Sequence, residues 1–251
     1  TSRRQRQMCI RDRFYSYLEL NGIAKNITHS LKVPHKAYNC TPDGFLNDVD
    51  VWHDEDVKKV IEALKGSTLR LLIVLAVNTG ARFSELLALQ YDDIKENNLY
   101  INKQLSEIAS LGGDVTLHIT STKTASSNRV IPLSEPVLEE IAKHKRLHMK
   151  EMVKNGYRTN DIFTTSHGTH YYKRNIVRSL ERLYGRIGVQ YHKFHAYRHT
   201  FGTNLSRAGV PIEETAKLMG HSDITMTAKY YININAERKR EAVEKIARFS
   251  L

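Results

Sequence analysis

The sequence predicts an α+β fold, mainly helical with a small antiparallel sheet, on three observations. Apolar residues recur at helical spacing from about Val51 onward. Strand-like alternation is confined to residues 99–132, and helical periodicity resumes beyond it. With 41% hydrophobic and 26% charged residues over 251 positions, the chain has enough apolar material for a substantial core.

Residues 1–13 show no apolar periodicity and lack the apolar stretch that follows the basic start of a signal peptide. Met8-Cys9-Ile10-Arg11-Asp12 is similar to the translation of a transposon-end adapter, so this segment is expected to be non-native or a disordered basic arm. Residues 14–50 hold a short helix-like piece, then Pro34, Pro42 and Gly44, and read as the remnant of a preceding domain plus a linker. The main domain is expected over 51–251. Asp54 is placed as the N-cap of a helix whose Val57, Val60, Ile61 and Leu64 share a face. The next helix, about Thr68 to Thr79, is apolar nearly all round and must be central.

Leu99/Ile101, Val115/Leu117/Ile119 and Arg129-Val130-Ile131-Pro132 alternate like strands, around breaks at Leu111-Gly112-Gly113 and Ser126-Ser127-Asn128. Ser134 and Pro136 open a helix with Leu138, Ile141, Met149 and Met152 as its stripe, and another carries Ile176, Leu180, Leu183 and Ile187. Helices over 194–208 and 211–219 close on Gly209 and Gly220, followed by a segment at 223–231 and a charged final helix at 236–249.

The formal charge of +11 points to a polyanion, and nucleic acid is the first choice, since each lysine or arginine set against a phosphate also releases counterions. An anionic membrane surface is the second. A membrane span is not expected: the longest apolar run, residues 69–77, contains Arg70 and falls well short of the roughly 20 residues needed. Two cysteines, Cys9 and Cys40, form no framework and no zinc spacing, which fits a reducing cytoplasm.

Five segments carry candidate chemistry: Thr79-Gly80-Ala81-Arg82-Phe83-Ser84-Glu85-Leu86; Thr122-Lys123-Thr124-Ala125-Ser126-Ser127-Asn128-Arg129-Val130-Ile131-Pro132-Leu133; His195-Ala196-Tyr197-Arg198-His199-Thr200-Phe201; Leu218-Met219-Gly220-His221-Ser222-Asp223-Ile224; and Thr227-Ala228-Lys229-Tyr230-Tyr231. Each alone is weak. In this order and at these spacings they resemble the tyrosine recombinase (phage integrase) family over about residues 51–234. The Ser/Thr-rich hairpin and Gly220-His221-Ser222-Asp223-Ile224 look closest to integrases of conjugative transposons and temperate phages of Gram-positive bacteria.

Strand exchange needs a nucleophile, an acid and a base, and cations around a phosphoryl group gaining negative charge. The residue types present meet that need. Arg82 follows a buried helix and a Thr-Gly break, with Glu85 near enough to orient it; a plain surface ion pair is the alternative. His195 and Arg198 stand at i and i+3, hence on one helix face, with Phe194, Tyr197, Phe201 and Leu205 packing on another.

The resemblance implies a tyrosine recombinase catalytic domain and assigns roles. Arg82 and Arg198 take the non-bridging oxygens, His195 is the base, and His221 hydrogen-bonds the scissile phosphate. Lys123 protonates the leaving 5′ oxygen, with Lys103 as a rival acid. Tyr230, nine residues after His221, is the nucleophile in preference to Tyr231; Ile232 stands where the family often has histidine. The resemblance makes residues 14–50 the end of a core-DNA-binding domain, requires no cofactor, and implies double-stranded DNA, a homo-tetramer on paired sites and an excisionase-type directionality factor as partners.

Other readings stay open. His192, His195 and His199 could be metal ligands, although no cysteine or carboxylate in register completes the set. A type IB topoisomerase shares the catalytic arrangement. A non-catalytic DNA-binding regulator would use 211–231 as a helix-turn-helix. The tail stripe Val243, Ile246, Ala247 and Phe249 fits a neighbouring subunit or the chain's own domain.

Overall fold

The computed structural model describes residues 50–109, 115–122 and 127–232, with the backbone alone at 109 and 229–232. The expectations for 1–49 and for the tail helix lie outside the described residues.

Helix α1 (Asp54–Ala63) turns Val57 and Val60 inward. Its N-cap is His53, with no side-chain cap bond, so Asp54 is the first helical residue and not the cap; Asp54, Glu55 and Asp56 make an acidic first turn that suits the helix dipole. Helix α2 (Thr68–Thr79) is the axis of the core, burying Leu71, Leu72, Ile73, Val74, Leu75 and Ala76, and Ser67 caps it by accepting from Leu69 N. A one-turn helix α3 (Phe83–Leu86) follows, then a 3-10 turn (Tyr91–Asp93).

The strand region forms two ladders. β1 (Ile94–Lys95), β2 (Asn98–Ile101) and β5 (Arg129–Pro132) make a three-stranded antiparallel sheet with β2 central; β3 (Lys103–Ala109) and β4 (Val115–Ser121) make a separate antiparallel pair. β1 and β2 join through Glu96 and Asn97, both at positive φ (50° and 60°), the geometry of a two-residue hairpin turn. The register sets Leu99 opposite Ile131 and Ile101 opposite Arg129, so Arg129 occupies an inward position among apolar residues.

Helix α4 (Glu135–Asn155) packs on α2 and buries Val137, Ile141, His144 and His148. The inner face is thus offset from the anticipated methionine stripe, and Met149 is 53% exposed. Two histidines take core positions because the Tyr91 hydroxyl joins both Nδ1 atoms (3.1 and 3.2 Å) and His148 Nε2 meets Thr164 Oγ1 at 3.0 Å. Burial first, then the neighbouring His148, pushes His144 down to about 4.

Helix α5 (Lys173–Ile187) buries Ile176, Leu180, Leu183 and Tyr184. Helix α6 (His195–Ala208) packs on α2; α7 (Ile212–Met219) and α8 (Thr225–Ile232) pack on α6 and on each other. Trp52 stacks on Tyr197, with ring centroids 4.8 Å apart, and its backbone N–H donates to Thr200 Oγ1, pinning the start of the domain to α6. No helix among the described residues is long and apolar enough to cross a membrane.

Candidate active site

The ends of α2 and α7 build the site. Gly80 ends α2 at φ 59°, a left-handed conformation that disfavours any side chain. A Cβ there would lie 2.3 Å from Phe201 Cδ1, so glycine is required on two counts. The chain then turns through Arg82 into α3, whose Glu85 reaches back. One carboxylate oxygen accepts from the Arg82 N–H at 2.8 Å and the other from its Nη1 at 2.8 Å. Arg82 is oriented from both backbone and side chain, as its spacing to Glu85 suggested.

Gly220 ends α7 at φ 64°, with its N–H returned to Lys217 O and that of His221 to Ala216 O. The last three carbonyls of this terminus each receive an arginine. Leu218 O accepts from Arg129 Nε at 2.9 Å, Met219 O from Arg198 Nη2, and Gly220 O from Arg82 Nη2 at 3.0 Å. Helix-terminal carbonyls lack intrahelical donors and carry the negative end of the dipole, so guanidinium groups fit there on both counts. Gly80 O, at the end of α2, accepts from Arg198 Nη1 at 2.7 Å.

Arg82, Arg198 and the His221 turn are therefore brought together from distant parts of the chain. Their exposures differ: the Arg82 side chain is 35% exposed, whereas Arg198 is 2% exposed. His195 and Arg198 share α6, but His195 is exposed at its first turn while Arg198 is sunk between the ends of α2 and α7. The division into a chemical and a packing face is therefore incomplete, because two backbone carbonyls draw Arg198 inward.

His221 is half-buried and its Nδ1 is 2.8 Å from Thr227 Oγ1 on α8. Asp223 accepts from Thr225 N at 2.9 Å, satisfying an N–H of the first turn of α8, and its bonds to Thr225 hold the carboxyl below its usual range. The backbone of Tyr230 lies on α8, directly after this turn; its side chain, and that of Tyr231, lie outside the described residues.

Lys123 also lies outside them. Its flanks are placed: Thr122 Oγ1 donates to Asn128 Oδ1 at 2.6 Å, drawing the two ends of the hairpin together. Lys103 is committed elsewhere, with Nζ 2.9 Å from Asp93 Oδ1 and 2.6 Å from Gln90 Oε1. Of the histidines considered as metal ligands, His192 Nδ1 pairs with the Asp50 carboxylate and His199 Nδ1 meets Asp50 O at 3.1 Å. No group of three or more His, Cys, Asp or Glu is arranged for a metal among the described residues.

One residue of the site had no role in the sequence reading. Arg129 is buried (side chain 4% exposed) and donates to Glu85 Oε2 at 2.7 Å, to Leu218 O and to Ser127 O. Burial raises the Glu85 carboxyl, but the Arg129 bond and charge and the Arg82 bonds outweigh it, leaving the group below its ordinary range. Two guanidiniums on one carboxylate leave a net positive charge.

Comparison with known proteins gives a consistent picture. The model of the Phage integrase family matches residues 51–238. The chain is 32% identical over 247 residues to a protein named tyrosine recombinase XerC-like from Caldanaerobacter subterraneus subsp. tengcongensis, covering 93% of this chain and 62% of that protein. It is 28% identical over 200 residues to tyrosine recombinase XerA of Pyrococcus furiosus, covering 76% and 60%. The chain thus spans about three-fifths of the length of these curated relatives. Among solved structures, the Tn1549 transposon integrase in complex with transposon right end DNA superposes with a TM-score of 0.66 at 23% identity, over 93% of this chain and 75% of that one. That likeness concerns the fold.

Proposed function

The chain belongs to the phage integrase family of tyrosine recombinases, and on that premise we propose that it is a site-specific recombinase that cuts and rejoins double-stranded DNA through a tyrosine. The carrying observation is the delivery of Arg82 and Arg198 to adjacent carbonyls, Gly220 and Met219, at the turn that holds His221 and leads into the helix of Tyr230.

In the proposed reaction the Tyr230 oxygen attacks the scissile phosphorus and the bond to the 5′ oxygen breaks. The products are a 3′-phosphotyrosyl link and a free 5′ hydroxyl. His195 accepts the tyrosine proton and Lys123 supplies one to the leaving oxygen. Arg82 and Arg198 stabilise the charge on the non-bridging oxygens, each worth roughly 3 kcal/mol by analogy with an oxyanion-hole donor, and His221 adds a hydrogen bond. The 5′ hydroxyl of a partner duplex then attacks the link, so phosphodiester energy is conserved and the steps balance without a nucleotide or metal cofactor.

The biological setting follows from the same reading. DNA is the partner, supported by the charge of +11 and by the DNA complex of the Tn1549 transposon integrase. A homo-tetramer on two sites performs the exchange, with an excisionase-type factor setting direction. Integration or excision of a mobile element is the use, and the cytoplasm is the location.

The test is covalent capture. Nicked duplexes from a randomised pool should be trapped by the wild-type chain through a 3′ linkage, and Tyr230→Phe should trap none. Capture by Tyr230→Phe, with the adduct mapped to Tyr231, overturns the register; no capture by the wild type counts against the function.

A further inference from the structure

We propose that Arg129 is a positioning residue for strand cleavage, holding three catalytic segments in one arrangement and keeping the charge of Arg82 available to a phosphate. The inference rests on the recombinase reading and assigns Arg129 no contact with DNA.

The three donor groups of Arg129 reach three separate parts of the site. Nη2 meets Glu85, whose carboxylate sets both the backbone and the guanidinium of Arg82. Nη1 meets Ser127 O at 3.0 Å, at the end of the hairpin that carries Lys123. Nε meets Leu218 O, in the α7 terminus that also receives Arg82 and Arg198 and turns into His221. A rigid planar fork donates from three separate nitrogen atoms and so spans well-separated acceptors, whereas an ammonium donates from a single point. Because the Arg129 side chain is only 4% exposed, it serves these segments and not a surface.

Charge gives a second, linked role. Glu85 alone would neutralise Arg82 within a 2.8 Å ion pair. With Arg129 on the same carboxylate at 2.7 Å, the trio keeps a net positive charge at its exposed end, where Arg82 stands. Removing Arg129 costs the site both alignment and charge.

Arg129→Lys keeps the charge and much of the volume and is the first variant to make. On nicked duplex selected by the wild-type chain, single-turnover adduct formation should fall roughly tenfold to a hundredfold, as expected for slight misplacement of a reacting group. Duplex affinity should stay within about threefold, since no DNA contact is lost. A mutant cycle separates positioning from general damage. If Arg129 works through Arg82, adding Arg129→Lys to Arg82→Lys should slow cleavage by no more than about threefold further, whereas independent defects multiply.

Arg129→Lys cleaving at the wild-type rate, or losses that multiply in the double variant, would overturn the proposal. Should Arg129→Lys not stay folded at the assay temperature, Glu85→Asp, which shortens the acceptor between the same two guanidiniums, goes through the same cycle with the same expected and overturning results. A wild-type chain that forms no adduct defeats the recombinase reading, an outcome distinct from an active wild type with an indifferent Arg129.

Discussion

Replacing Gly80 with alanine should damage fold and site together, by an amount that can be divided. An L-residue at φ 59° carries the cost of left-handed backbone, about 1–2 kcal/mol. The added Cβ also meets Phe201 Cδ1 at 2.3 Å and Cγ at 3.0 Å, and that ring is only 9% exposed. Moving it aside is an overpacking cost of about 1–3 kcal/mol. Gly188→Ala supplies the control, with a similar φ of 66° and nothing within 4 Å of its Cβ. Urea unfolding followed by the fluorescence of Trp52, the single tryptophan and a core residue at 3% exposure, should place Gly80→Ala about 1–3 kcal/mol below Gly188→Ala at unchanged m. In a Phe201→Leu background the two alanine variants should converge, because the obstructing ring is gone. Gly80 O also holds Arg198 Nη1, so Gly80→Ala should slow adduct formation while Gly188→Ala leaves it unchanged. Equal midpoint losses for the two glycines in the wild-type background would refute the packing argument.

Three other outcomes are expected. His144 has a folded pKa near 4 against an ordinary 6.5, so the native state binds its proton more weakly than the unfolded chain. Its contribution is complete above about pH 6.5 and is lost as pH falls toward 4, by about 3 kcal/mol relative to His144→Gln in unfolding measured across that range; parallel pH curves for the two proteins would show that His144 is not the buried neutral group described. Lys123→Ala should be inactive on ordinary DNA and active on a duplex with sulfur at the bridging 5′ position, since a thiolate of intrinsic pKa about 8.5 leaves without a proton donor; Arg82→Ala should gain much less from sulfur, and rescue of both alike would remove Lys123 from the acid role. Lys103→Met should lower stability by about 2 kcal/mol by stranding Asp93, which is 7% exposed; a sulfur-rescued loss of cleavage in this variant would move the acid from Lys123 to Lys103.

The helices were legible because their signals are local: apolar spacing in α1, α2 and α5, and glycine at the ends of α2, α6 and α7. The sheet was legible only in part. Glu96 and Asn97 give no glycine signal for the left-handed turn they form, so β1 passed unread. On α4 the histidines count as polar in any periodicity, and only the Tyr91 hydroxyl and Thr164 make them acceptable in the core. Arg129 was within reach: strand alternation with Ile131 inward also turns Arg129 inward, and a buried arginine requires acceptors. Its partners were not within reach, because two of the three are backbone carbonyls, at Leu218 and Ser127, to which every residue type contributes alike.

That use of backbone also bears on how the site is made ready. A buried carbonyl must find a donor, and a buried guanidinium must find acceptors. At the ends of α2 and α7 the two requirements answer each other: Gly80, Leu218, Met219 and Gly220 present carbonyls without intrahelical donors, and Arg82, Arg129 and Arg198 fill them. Backbone at a helix terminus is stiffer than a side chain, so acceptors fixed there restrain the arginines in advance of the proposed phosphate contact. In the proposed reaction, orientation set in advance would lower the reorganisation needed when charge develops on the phosphoryl oxygens. Glu85, and no exposed carboxylate, faces Arg82 on the same physical grounds. At 2% exposure, and shared with Arg129, it orients Arg82 without cancelling the positive charge of the cluster.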